Sequence, residues 1–166
     1  DRRPEPIAKG LPAWRGGAPG RVVFAADRAV ALAGAGEAVV LVRNETSPED
    51  IDGMKVARAI LTSTGGMASH AALVARGMGK CCVVGCSAIQ VGYAAREFKA
   101  NGRVFREGDE ITVEGSTGKV YAGRIPTMRA ELDHTFDRFM EWVDSVRRLR
   151  VRANAGTPED AAPARR

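Results

Sequence analysis

Short apolar runs separated by turn residues dominate the first three quarters of the chain. Four of these runs, each about the length of a strand, predict buried β-strands at positions 22–25, 39–42, 59–62 and 81–84. Because the runs are nearly continuous in apolar residues, the pattern favours strands that are covered on both faces.

Three segments between these strands carry helix-start signals. An N-cap serine, a proline at the first helical position and two acids predict a helix start at residues 47–50, with the helix running on to Val56. Ser69 predicts the N-cap of a second helix over residues 70–78. A shorter helix is predicted over residues 28–32, capped by Asp27.

The remaining pattern sets the predicted domain limits. Residues 103–122 predict two β-hairpins, with turns at 107–109 and 115–118. We therefore expect an α/β fold, a compact β/α domain with a β-sandwich element, over residues 21–124. Residues 1–20 are rich in Pro and Gly and predict an extended linker that leads into it.

After Pro126 the apolar residues recur every three or four positions, which predicts one long amphipathic linker helix over residues 125–150. A strand signal and a second serine- or threonine-type helix start then follow in residues 151–166. We interpret this last segment as the start of a further, truncated C-terminal domain. Because the chain begins with Asp1 rather than Met, we expect it to be cut from a longer protein.

Composition and charge narrow the class of protein. Apolar residues make up 45% of the chain and charged residues 27%, which is ordinary for a globular protein. The net charge of +5 comes from basic residues mixed with 20 acidic ones, without the aromatic-interleaved basic stripe of a nucleic-acid-binding protein. No run approaches the roughly 18 apolar residues of a membrane span. We expect neither a nucleic acid nor a membrane as a partner.

The three cysteines, Cys81, Cys82 and Cys86, are odd in number and lie within six residues. This spacing does not suit a disulfide framework, and the sequence has no second ligand pair for a metal site. We expect small buried thiols in a reducing cytoplasm. On a strand, Cys81 and Cys82 would point to opposite faces.

His70 is the candidate catalytic residue. It is predicted in the first turn of a helix, where unpaired N–H groups and the positive end of the helix dipole favour phosphate, and a neutral imidazole is a competent nucleophile. Two glycines allow close approach of a bulky anion. The candidate phosphoryl-binding residues are Gly65, Gly66, Ser69, Thr62 and Thr64.

The residues alone leave another interpretation open. A single histidine at a helix start is more often a capping or surface residue than a nucleophile. No acidic residue lies nearby in the sequence to act as a base, and no acidic cluster is placed to hold a metal.

Residues 62–86, TSTGGMASHAALVARGMGKCCVVGC, resemble the phosphohistidine segment of the pyruvate, phosphate dikinase family of phosphoenolpyruvate-utilising enzymes. The CCVxGC tail separates that family from its relatives, phosphoenolpyruvate synthase and enzyme I of the sugar phosphotransferase system. Further segments fit the same family, at positions 10–13, 40–51, 107–109, 114–118 and 151–154.

The resemblance implies a swivelling β/β/α phosphohistidine domain that carries a phosphoryl group on His70. It implies a reversible reaction of ATP, phosphate and pyruvate to AMP, diphosphate and phosphoenolpyruvate. The implied partners are an N-terminal ATP-grasp domain and a C-terminal pyruvate/phosphoenolpyruvate-binding barrel of the same cytoplasmic enzyme. A homodimer of the full-length enzyme is compatible with the resemblance. Mg²⁺ is expected in those partner domains and not on this chain.

Two positions depart from the family pattern. Thr64 replaces an arginine whose charge would hold a phosphoryl group, and Ala68 replaces the threonine that regulatory kinases modify in plants. These departures keep a non-catalytic interaction module open as an alternative. The carrier domain of phosphoenolpyruvate synthase is a second alternative, against which Cys81 and Cys82 argue.

Overall fold

A computed structural model describes residues 4–127 and 134–148, which fall into two units with a boundary after Met128. In the first unit the strands are β1 (Ala8–Lys9), β2 (Leu11–Trp14), β3 (Gly17–Val23), β4 (Val39–Arg43), β5 (Ala59–Thr62), β6 (Cys81–Val84), β7 (Ile89–Gly92), β8 (Glu97–Ala100), β9 (Arg103–Arg106), β10 (Glu110–Glu114) and β11 (Lys119–Ala122). The helices are α1 (Ala26–Gly34), α2 (Ile51–Val56) after a 3₁₀ turn (Pro48–Asp50), and α3 (His70–Gly77).

The strands form two sheets. The large sheet has the order β1-β11-β10-β3-β4-β5-β6-β2, and the small one has the order β7-β8-β9. Within the large sheet, β3, β4, β5 and β6 run parallel, as nearly continuous apolar runs predict. The residues that follow β4 and β5 therefore lie at the same edge of the sheet.

Each face of the large sheet buries its own apolar core. One core packs the sheet against the small sheet, where the ring of Phe98 stacks on Phe105 at 4.9 Å between centroids. The other core packs the sheet against the three helices through small residues such as Ala29 and Ala72. The result is three layers, β/β/α, which confirms the predicted fold class.

The cysteines of β6 divide between these cores. Cys81 belongs to the core on the small-sheet side and Cys82 to the core on the helix side, so the predicted alternation is confirmed. Both are free and buried, as is Cys86. Burial raises the pKa of Cys81 and Cys86 to about 11 and that of Cys82 to about 12.

The structure differs from the prediction for the linker. Residues 8–20 are part of the domain, because they contribute β1, β2 and the first half of β3 to the large sheet. Their prolines lie in strand segments with one unpaired side, where proline is tolerated. Pro12 lies in the edge strand β2, and Pro19 lies in the part of β3 that pairs only with β10.

The first predicted hairpin is also wrong. Strand β9 belongs to the small sheet and β10 to the large one, so the turn between them crosses from one sheet to the other. It is held by β3: Gly108 donates to the carbonyl oxygen of Val22 and the amide of Val22 donates to that of Asp109, each at 2.9 Å. The second hairpin, β10 with β11, is confirmed.

Helix α1 begins earlier than predicted. Ala25 is its N-cap and Asp27 lies in its first turn, where a carboxylate is still favoured by the helix dipole. Strands β7 and β8 were not predicted, because polar residues interrupt their short apolar patterns: Gln90 in β7, and Glu97 and Lys99 in β8.

The second unit contains α4 (His134–Val146). This helix lies within the predicted linker helix, and residues 125–127 before it are not helical. Apolar side chains recur along it, with the rings of Phe139 and Trp142 6.4 Å apart. Residues 128–133 and the predicted strand and helix of 151–166 lie outside the described residues.

No described helix combines the length and the apolar character required to cross a bilayer.

Candidate functional site

The site lies at the edge of the large sheet where β4 and β5 end. The β4 loop (residues 44–47) follows β4, and the histidine loop (residues 63–69) follows β5. The parallel pairing continues into both loops, because Ser63 donates its amide to the carbonyl oxygen of Arg43 at 3.1 Å and Thr64 does so to that of Asn44 at 3.0 Å. The carboxyl ends of parallel strands are where α/β folds place their ligand sites.

His70 is the first residue of α3 and is half-buried. Ser69 is the N-cap, and its hydroxyl accepts a hydrogen bond from the amide of Ala72 at 3.4 Å. The predicted helix start and cap are therefore confirmed. Behind His70, Ala71, Ala72 and Ala75 pack on the sheet, which fixes the helix while its N-terminus stays at the surface.

The imidazole of His70 is held by the β4 loop. Its Nδ1 lies 3.0 Å from Oγ1 of Thr46, a residue that is 4% exposed. An Nδ1–H group that donates to this hydroxyl places the nucleophilic lone pair on Nε2. The contact joins residues 24 positions apart and orients the ring, and the Nδ1–H tautomer is the one that leaves Nε2 free to act as the nucleophile.

Thr46 was missed by the sequence analysis, although it lies inside a segment that carried the family resemblance. A signal was present: parallel strands bring their carboxyl ends together, so the residues after β4 had to lie beside those after β5. The hydroxyls predicted to bind a phosphoryl group were instead those within residues 62–70, because they are close to His70 in sequence.

The β4 loop is anchored by contacts of the residues that flank it, Arg43 and Asp50. The carboxylate of Asp50 accepts the amide of Ser47 at 2.9 Å, and its Oδ2 lies 3.4 Å from Nε of Arg43. Arg43 also donates from Nη1 to the carbonyl oxygen of Phe24 at 2.9 Å. Asp50 is 4% exposed, so its hydrogen bond to Ser47 and its ion pair with Arg43 lie largely away from solvent.

Two predicted phosphoryl-binding hydroxyls have other partners. Thr62 is buried and donates to the carbonyl oxygen of Thr64 at 2.7 Å. Thr64 donates to the carbonyl oxygen of Asn44 at 2.8 Å. A hydroxyl has one hydrogen to donate, so both side chains serve the loop backbone here. Ser63 likewise donates to Oδ1 of Asn44 at 2.8 Å.

The two glycines differ. Gly65 has φ +93°, and a Cβ on it would lie 3.0 Å from Cβ of Ser69, so this position requires glycine. Gly66 is open, with nothing described within 4 Å of an added Cβ. Its amide belongs to the exposed part of the loop before α3, whereas the amide of Ser69 donates to the carbonyl oxygen of Gly66 at 3.0 Å.

The guanidinium group of Arg76 places a positive charge beside the histidine loop. Its Nη2 donates to the carbonyl oxygen of Met67 at 3.0 Å. The contact links the last turn of α3 to the loop that precedes the same helix.

An open pocket of about 260 Å³ lies beside Arg43, at the ends of β3 and β4. Its arginines are paired: Arg28 and Arg96 both contact Oε1 of Glu107, at 3.1 and 3.7 Å. The pocket is lined by Phe24, Ala25, Asp27, Arg28, Arg43, Tyr93, Arg96 and Glu107. Within the described residues, no three His, Cys, Asp or Glu side chains are close enough to share a metal ion.

Comparison with known proteins gives a family match over the site. Residues 35–118 match the family model described as PEP-utilising enzyme, mobile domain. The chain is 54% identical to pyruvate, phosphate dikinase of Clostridium symbiosum over 94% of its own length, and 54% identical to pyruvate, phosphate dikinase 2 of Zea mays over 96%. It spans 18% of the length of each of these relatives.

Two further matches extend the comparison. The chain is 49% identical to the chloroplastic pyruvate, phosphate dikinase 1 of Arabidopsis thaliana over 99% of its length, and spans 17% of that relative. The NMR solution structure of Enzyme I matches over 66% of this chain and 37% of the other, with 21% identity and a TM-score of 0.38.

Proposed function

Since the chain belongs to the mobile-domain family of the PEP-utilising enzymes, we propose that it is the phosphohistidine carrier of a pyruvate, phosphate dikinase. The observation that carries this proposal is the 3.0 Å contact between Oγ1 of Thr46 and Nδ1 of His70. It presents Nε2 as the nucleophile at the start of α3, beside an open glycine loop. A capping or surface histidine has no need of a buried partner on another strand.

The proposed reaction has three transfers. Nε2 of His70 attacks the β-phosphorus of ATP, the bond from that phosphorus to the α,β-bridging oxygen breaks, and AMP leaves. Inorganic phosphate then takes the terminal phosphoryl group as diphosphate, and one phosphoryl group stays on Nε2. Finally the enolate oxygen of pyruvate attacks that phosphorus, the P–N bond breaks, and its electron pair returns to the imidazole as phosphoenolpyruvate forms.

This chain supplies the nucleophile and its orientation, and partner domains supply the rest. Phosphoryl transfer depends mainly on positioning and on stabilising charge, so a carrier needs little other machinery. We assign the ATP and pyruvate sites to an ATP-grasp domain and a barrel domain of the same polypeptide. We assign Mg²⁺, which would neutralise phosphate charge, to those domains too. The three free buried thiols support a cytoplasmic enzyme.

The test uses the complete polypeptide that carries this chain. After incubation with ³²P-labelled phosphoenolpyruvate, we expect label that is lost in acid and kept in base, as a phosphohistidine requires. His70→Asn should take up no label, and Ser87→Ala, on the exposed surface nearby, should take up as much as the wild type. An unlabelled wild type would favour a non-catalytic module, and equal label on His70→Asn would exclude His70 as the phosphoryl carrier.

A chase separates the dikinase from the synthase. The labelled dikinase should return its phosphoryl group to AMP only when diphosphate is present, with ATP and phosphate as products. A synthase would do so with AMP and phosphate, with ATP and water as products. Discharge by AMP and phosphate alone would therefore overturn the dikinase assignment and keep the carrier role.

A further inference from the structure

The CCVxGC segment contains a glycine whose place in the structure has a direct bearing on His70. Gly85 follows β6 and has φ +60°. A Cβ at this residue would lie 2.5 Å from the carbonyl oxygen of Gly65. Real Cβ atoms do not approach a backbone oxygen so closely, so any side chain at position 85 must displace the histidine loop.

Two backbone hydrogen bonds hold the same two segments in register. The amide of Gly85 donates to the carbonyl oxygen of Thr64 at 3.2 Å, and the amide of Cys86 donates to that of Thr62 at 2.9 Å. Residues 85–86 thus continue the β5–β6 pairing into the first part of the histidine loop.

From Gly65 the contacts lead to the helix that bears His70. The Cα of Gly65 faces Ser69, since a Cβ there would lie 3.0 Å from Cβ and 3.2 Å from Oγ of Ser69. Ser69 is the N-cap of α3, and His70 is the next residue. Gly85, Gly65 and Ser69 therefore form a continuous series of close contacts that ends at His70.

We propose that Gly85 is a positioning residue for His70, acting through Gly65 and Ser69 to set where Nε2 lies at the start of α3. The inference rests on the proposed phosphohistidine function and adds to it a residue outside the histidine loop. A methyl group at position 85 would push the Gly65 carbonyl outward and turn the cap. The imidazole would then move relative to Thr46, which comes from a different strand and does not follow.

The experiment compares two alanine substitutions with the same backbone cost. Gly85 and Gly79 have φ of +60° and +63°, but an added Cβ at Gly79 meets nothing described within 4 Å. In the complete polypeptide, single-turnover uptake of ³²P from phosphoenolpyruvate gives a rate constant and a stoichiometry. We expect Gly85→Ala to lower the rate constant at least tenfold, with stoichiometry and the KM for phosphoenolpyruvate unchanged. Gly79→Ala should match the wild type in all three.

The readouts separate positioning from folding. A residue that only maintains the fold would lower the stoichiometry, because unfolded molecules take no label, and would leave the rate constant of the rest unchanged. That result, or equal rate constants for the two variants, overturns the proposal. An unlabelled wild type would instead overturn the proposed function.

A second variant covers the case in which Gly85→Ala loses its cooperative melting transition. Gly65→Ala places its Cβ against the side chain of Ser69 and leaves position 85 intact. A lower rate constant at unchanged stoichiometry is expected there too. A wild-type rate constant in Gly65→Ala would overturn the proposal.

Discussion

The β4 loop and the histidine loop follow neighbouring parallel strands and are built in different ways. In the β4 loop, Thr46 is buried and Asp50 anchors the turn that follows. In the histidine loop, five consecutive residues at 64–68 are exposed, and the contacts that hold it are mostly to backbone atoms. One loop fixes the orientation of the imidazole and the other presents it, so the two tasks can be tested separately.

The largest effect should come from removing the anchor of the β4 loop. Asp50→Ala deletes the acceptor of the Ser47 amide and leaves Arg43, which is a quarter exposed, without its carboxylate. We expect a loss of about 2–3 kcal/mol in the free energy of unfolding, measured by chemical denaturation.

Asp52→Ala is the matched control for this change. Asp52 lies two residues later, with its side chain 80% exposed and paired with Lys55 in an (i, i+3) contact. Such surface pairs contribute little, so its effect should stay within about 0.5 kcal/mol. Equal losses for the two variants would mean that the β4 loop is not held by Asp50.

The three buried thiols, in β6 and just after it, report whether this side of the histidine loop opens to solvent. Burial raises the pKa of Cys81 and Cys86 to about 11 and of Cys82 to about 12, from an ordinary value of 9.0. At pH 8 the folded protein should therefore react with iodoacetamide about a hundredfold more slowly than the unfolded chain. Fast labelling without denaturant would show that the β6 side of the site opens.

The same rise in thiol pKa determines how the free energy of unfolding changes with pH. The folded-state pKa of each thiol is raised above that of the unfolded chain, so the unfolded chain loses its protons first as pH rises. The stabilisation is complete below pH 9 and should decline between pH 9 and 12, which denaturation at a series of pH values measures.

Thr46→Val tests the orienting role of the β4 loop itself. The change keeps the shape of the side chain and removes the partner of Nδ1. An orientation worth about 1.4 kcal/mol corresponds to phosphoryl uptake roughly tenfold slower, measured as a single-turnover rate constant. Thr46→Ser, which keeps the hydroxyl, should recover most of the rate. A wild-type rate in Thr46→Val would assign the orientation to the histidine loop alone.

The smallest expected effect concerns the contact between the loops. Ser63 is buried and donates to Oδ1 of Asn44. Ser63→Ala should lower the free energy of unfolding by about 1 kcal/mol, the usual contribution of one such hydrogen bond. Ser87→Ala, at an exposed position, is the control and should leave it unchanged. No loss in Ser63→Ala would mean that the backbone pairing and the hydroxyl of Thr64 join the two loops without help from Ser63.

The same difference explains what the sequence could predict. Strands β4, β5 and β6 and helices α2 and α3 follow from local signals, because buried parallel strands are continuous apolar runs and Ser47 and Ser69 start helices in the expected way. Strand β2 carries Pro12 and lies at a sheet edge, and β8 alternates Glu97 and Lys99 with buried residues. Such strands depend on their neighbours and leave weaker local patterns.

The residues of the site differ in the same way in how well the sequence predicts them. His70, Ser69 and the glycine requirement at Gly65 follow from local chemistry at a helix start. Thr46 does not, since its role depends on the pairing of β4 with β5, and Gly85 depends on the pairing of β5 with β6. The hydroxyls of Thr62 and Thr64 were assigned to phosphoryl binding because local sequence does not reveal which backbone carbonyls they meet.

The contact between Thr46 and His70 also has a consequence for protein engineering. The peptide around the histidine cannot be transplanted as a unit, because the ring is oriented by the loop after an earlier strand, β4, and the histidine loop packs against the end of a later one, β6. A graft that reproduces the nucleophile must bring three adjacent parallel strand ends with their register intact. The smallest portable form of this site is therefore a piece of sheet rather than a stretch of sequence.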